Sequence, residues 1–157
     1  AFRSEPSLAR YQTLRDLTGA GWEKLRAGLL AFLRDEQTAW RWRSAAVDIF
    51  LHEGLIDDAI RAVGSSGYGD LARVMDAAIA LRPDWVITAA TQQAARIVDA
   101  GKAQRYDDAI EWLRRARASY RASGRTEGWK AYLDDLRARH GRKYKLMGLI
   151  EQLEAGA

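Results

Sequence analysis

From Arg105 to Leu153, apolar residues return every three or four positions, and two glycine stops divide the run. Ala109, Leu113, Ala116 and Tyr120 fall on one helical face, Trp129, Leu133 and Leu136 on a second, and Leu146, Leu149, Ile150 and Leu153 on a third. A strand would turn alternate side chains to opposite sides, so this period predicts three short helices and no sheet. Gly124 and Gly141 stand where the first two must stop, and a left-handed glycine is expected at both.

The same period continues upstream. Ser4-Glu5-Pro6 reads as a capped start for a helix bearing Leu8, Tyr11, Leu14 and Leu17, stopped by Gly19 and Gly21. Trp22, Leu25, Leu29, Phe32 and Leu33 form the cleanest apolar stripe. Asp35 to Thr38 reads as a turn, followed by one helix carrying Trp40, Val47, Phe50 and Leu51 as far as Gly54. A short helix holds Ile56, Ala59, Ile60 and Val63, and Gly64 to Gly69 reads as a loop. Asp70 is placed to cap the next helix, with Leu71, Val74, Met75 and Ala78 inside, and Pro83 opens another that ends at Gly101.

The expectation is an all-α chain of about nine helices, with antiparallel neighbours because the connections are short. Asp57-Asp58-Ala59-Ile60 is echoed by Asp107-Asp108-Ala109-Ile110, and Met75 to Pro83 looks like the second helix of a tetratricopeptide unit. No strict period holds, so residues 1–157 read as a single domain, a degenerate tetratricopeptide-like array of antiparallel helical hairpins.

With 48% hydrophobic and 29% charged residues, the chain has the composition of a folded domain. No run approaches the ~18 apolar residues of a membrane span, and no membrane partner is expected. The absence of cysteine excludes disulfides and cysteine-ligated zinc within these residues. The opening AFRSEPS carries neither a signal pattern nor an initiator methionine. A soluble, cytoplasmic piece of a longer polypeptide is the reading that fits.

Trp112-Leu113-Arg114-Arg115-Ala116-Arg117, Gly124-Arg125, Trp129-Lys130-Ala131-Tyr132-Leu133 and Arg139-His140-Gly141-Arg142-Lys143-Tyr144-Lys145-Leu146 follow one another here. Together they resemble the C-terminal helical region of bacterial SWIM zinc finger family proteins, most closely over residues 106–153. The resemblance implies the helical-repeat end of such a protein and no catalytic residue. The family's cysteine motif is absent, so zinc would belong only to a segment upstream of this chain.

The residues that could carry chemistry do not converge. His52 and His140 have no second ligand at metal spacing, and each suits a helix C-terminus. Asp57-Asp58 and Asp107-Asp108 read as acids at helix starts, since neighbours on a helix point about 100° apart. Gly64 to Gly69 lacks the lysine and the preceding strand of a phosphate loop. Trp22, Trp112 and Trp129 read as core fillers. Trp40 and Trp42, interleaved with Arg41 and Arg43, cannot both face one core, so one is expected to be exposed.

Residues 1–100 hold 12 Lys or Arg and 13 Asp or Glu, a balance of −1; residues 101–157 hold 13 and 8, a balance of +5. The basic third therefore supplies a candidate surface for an anionic partner: Arg114, Arg117 and Arg121 on one helical face, then Arg139, Arg142, Lys143 and Lys145. The function expected is that of a non-enzymatic scaffold binding a protein or peptide segment, with no cofactor in this chain. The alternative is an accessory nucleic-acid surface of weak, nonspecific, salt-sensitive affinity.

Overall fold

The computed structural model describes residues 1–64 and 68–156. Of the described residues, 84% are helical and none lies in a strand, so the chain is all-α. The α-helices are α1 (Leu8–Thr18), α2 (Trp22–Arg34), α3 (Glu36–Arg41), α4 (Arg43–His52), α5 (Ile56–Val63), α6 (Tyr68–Ala78), α7 (Pro83–Asp99), α8 (Tyr106–Ala122), α9 (Thr126–His140) and α10 (Tyr144–Ala155).

The extra helix relative to the sequence reading arises at Asp35. The expected turn is instead a cap: the Asp35 carboxylate accepts from the Thr38 backbone N–H at 3.0 Å and starts α3. Trp42, at φ −120° and ψ 35°, then leaves helical geometry and separates α3 from α4. At the N-terminus the cap is Ser7 rather than Ser4, with its hydroxyl accepting from Arg10 N–H at 3.2 Å. Ser4 sits in a 3-10 turn and donates to the Ala1 carbonyl. The loop expected from Gly64 to Gly69 falls partly outside the described residues, and Tyr68 and Gly69 already belong to α6. Asp70 lies within the first turn of α6, where it accepts from Ser44 at 2.7 Å.

The chain divides into two compact units, Ala1–Ala77 and Ala78–Ala157. The first holds Tyr11, Leu33, Val47, Ile49, Phe50, Val63, Val74 and Met75 out of water. Burying side chains of this size stabilises by roughly 1.5–3 kcal/mol each before entropy is counted. Tyr11 brings its hydroxyl inside with it, and that group donates to Glu53 Oε1 at 2.6 Å. Arg26 donates to Glu53 Oε2 at 3.0 and 2.8 Å, so one carboxylate ties α1, α2 and the end of α4. Trp22 is only half-buried and meets the Tyr11 ring edge-on at 5.0 Å.

In the second unit α7 and α8 run antiparallel: Asp84, in the first turn of α7, pairs at 2.6 Å with Arg125, which follows the end of α8. Ala90 and Ala94 of α7 and Ala109 and Ala116 of α8 are all buried. α10 runs parallel to α8: Lys145 pairs with Asp107, and Arg117 reaches Leu153. Trp129 of α9 is buried, stacks on Tyr132 with ring centroids 5.7 Å apart, and donates from Nε1 to Glu154 at 2.8 Å. Trp112 is buried as expected. Gly124 takes the left-handed φ of +70° that its position required. Gly141 does not: its φ is −57°, and glycine is needed because a Cβ would stand 2.8 Å from the Arg137 carbonyl oxygen.

Candidate functional site

The basic third does not assemble into a free cationic face. Arg117 is 6% exposed, and its guanidinium donates to the carbonyls of Leu153 and Gly156. Burial, with Arg121 nearby, pulls its proton affinity below the ordinary arginine value. It holds the end of α10 and is not part of an exposed surface as the sequence suggested. Lys143 folds back to donate to Val98 at 2.7 Å, in the last turn of α7. Arg114 pairs with Glu111, Arg139 with Asp135 and Lys145 with Asp107. Arg121 and Arg142 are exposed without a partner among the described residues.

The paired acids play unequal parts. Asp107 and Asp108 are exposed in the first turn of α8, as expected of acids at a helix start. Asp58 is buried, and its carboxylate accepts from Arg34 at 3.0 and 2.8 Å and from Arg61 at 3.1 Å. Helix-start logic found the acid; nothing in the spacing showed that Arg34, 24 positions away, closes on it. His52 and His140 do lie in the last turns of α4 and α9. His140 faces Asp99 at 3.8 Å, and burial lowers its pKa. Among the described residues no group of His, Cys, Asp or Glu is arranged to hold a metal ion.

The concavity that draws residues together lies in the first unit. A cleft of about 480 Å³ is lined by α2, α3, α4 and α5. Leu33, Phe50 and Ala62 supply buried apolar surface, the Arg34–Asp58–Arg61 cluster supplies fixed charge, and Glu36, Trp40 and Arg43 complete it. Hydrogen bonding to Asp58 raises the Arg34 pKa further, so that cation is committed to its partner. Of the alternating Trp and Arg residues, Trp40 is the exposed one, at 77%, while Trp42 is half-buried with Arg41 above its ring at 5.3 Å. Trp40 also borders a second hollow of about 430 Å³ with Glu36, Gln37 and Arg41. Arg43 contributes a buried Nε that has no hydrogen-bond partner among the described residues. The sequence pointed to Trp40 and Trp42 alike, and to Arg43 only as their neighbour.

These features define an all-helical protein with a mixed apolar and ionic cleft beside an exposed tryptophan. Compared with known families, curated proteins and solved structures, the chain matches none of them. Among the described residues, no helix is long and apolar enough to cross a membrane.

Proposed function

We propose that this chain is a non-enzymatic interaction module that holds a segment of another protein against α3 of the first unit. The observation that carries the reading is Trp40, an indole left in water between two hollows. Tryptophan is enriched among the residues that dominate binding energy, and here it stands beside concave surface. The ion pairing of the C-terminal cations counts against the nucleic-acid alternative, which needs them free for phosphates. A tetratricopeptide-like array, a cytoplasmic setting and the SWIM-type likeness of residues 106–153 belong to the same proposal.

The test is a photo-crosslinking phenylalanine analogue at position 40 of the full chain, with Leu17, 79% exposed, as the control position. The expected product is a recurrent peptide segment captured from position 40 and not from position 17. Products equal at both positions, or nucleic acid alone, would refute the module.

A further inference from the structure

We infer that the α3 surface selects an acidic–apolar peptide segment, with an apolar side chain in the cleft beside Trp40 and a carboxylate on Arg43. The inference rests on the interaction reading above and names the chemistry that reading leaves open.

Arg43 is the starting point. A buried N–H donor without an acceptor is costly, and folded proteins rarely keep one unless something else completes it. Its buried Nε is such a donor, on a residue that lines the cleft. The two other arginines there are spent on Asp58, Arg34 through two bonds and Arg61 through one. Arg43 is therefore the cation left for a visitor.

Charge decides between the anions. Three arginines, Arg34, Arg43 and Arg61, against two acids, Glu36 and Asp58, leave the cleft lining at +1. That matches one carboxylate. A doubly charged phosphate would exceed it while lying beside Glu36 and Asp58, and like charges at short range are unfavourable. A planar guanidinium also pairs with a carboxylate in its own plane. The apolar half of the ligand follows from Leu33, Phe50 and Ala62, and about 480 Å³ falls within the ~300–1,000 Å³ usual for ligand pockets.

The second hollow makes an internal segment a better fit than a chain end. It shares Trp40 and Glu36 with the first and adds Arg41. A peptide that continues past Trp40 reaches both hollows and can set a second carboxylate on Arg41. A terminus would fill one and leave the other wet.

The experiment is fluorescence anisotropy on the full chain with labelled peptides alternating glutamate with phenylalanine or leucine, both ends blocked. Counter-probes are the same peptide with lysine for glutamate, with phosphoserine for glutamate, with a free C-terminus, and an oligothymidylate. The glutamate peptide should bind at least about tenfold tighter than the lysine peptide, and Arg43→Ala should abolish that difference. Arg43→Met, which keeps the stem and removes the donor, should do the same. Arg43→Met should melt no lower than the parent, because it keeps the stem and the donor it removes is unsatisfied. A purely structural Arg43 would instead lower the melting temperature.

Equal binding of the glutamate and lysine peptides, lost in Trp40→Ala, would sink the acidic selectivity while leaving the interaction module standing. Tighter binding of the phosphoserine peptide, of the free C-terminus or of the oligothymidylate would overturn the inference. Binding of no peptide, together with no position-40 crosslink, would remove both.

Discussion

The guanidinium of Arg117 sits where the last carbonyls of α10 lack helical donors, and it supplies two N–H groups to them. Arg117→Ala would leave the Leu153 oxygen unsatisfied in a buried site, costing on the order of 1–3 kcal/mol. Urea unfolding should show that loss, whereas Arg114→Ala, on an exposed and screened pair, should move stability by less than ~0.5 kcal/mol. Equal effects would mean that Arg117 is no such clamp. Trp129 fills the space between Tyr120, Tyr132 and Glu154, so Trp129→Ala should cost about 3–5 kcal/mol by leaving a cavity. The same measurement on Trp40→Ala should show almost no loss. Trp129 was legible because its indole continues the stripe of Leu133 and Leu136. Arg117 was not, because spacing places it with Arg114 and Arg121 and cannot show that α10 ends over only one of the three.

α3 is six residues long, and its order depends on its ends and on packing, since so short a helix does not hold itself. Asp35 provides the start through the Thr38 N–H and the Thr38 hydroxyl, both at 3.0 Å. Asp35→Ala should cost about 1 kcal/mol. Hydrogen exchange should rise at the α3 amides with little change in α4, and peptide affinity should fall as Trp40 loses its support. Unchanged exchange over α3 would show that packing alone orders it. The sequence read Asp35 as part of a turn because the apolar period is broken there, and a cap followed by only six residues leaves too short a pattern to register. The glycine stops, by contrast, were legible at Gly124 and the other left-handed positions. Gly141 was read rightly as a stop, but its cause, the close approach of the Arg137 carbonyl, is a distance and not a pattern.

For the molecule as a whole, the first unit carries a pH-sensitive tie. Hydrogen bonds from Arg26 are the largest influence lowering the Glu53 pKa, opposed by burial and helped by Tyr11. A carboxyl with a depressed folded pKa stabilises fully above its unfolded value, near 4.5, and loses that contribution as pH falls through the folded value. Stability should therefore be level around neutral pH and decline below about pH 4.5. Glu53→Gln should be less stable at neutral pH and show a shallower decline on acidification. Thermal unfolding followed across the acid range checks this, and parallel declines in the two proteins would contradict it. Tyr11 responds in the opposite sense: burial and the Glu53 carboxylate push its hydroxyl pKa up, which keeps it a neutral donor.

The all-α class and the buried faces of α8, α9 and α10 were determined by the sequence alone. The helical period of apolar residues leaves a chain no other way to bury them, and glycine and proline punctuate it locally. The division into two units, the fate of each arginine and the cleft beside Trp40 were decided only by tertiary structure. Each depends on residues distant in the chain meeting in space: Arg34 with Asp58, Arg26 with Glu53, Arg117 with the end of α10. Periodicity says which way a side chain points from its own helix, but not which helix arrives to cover it.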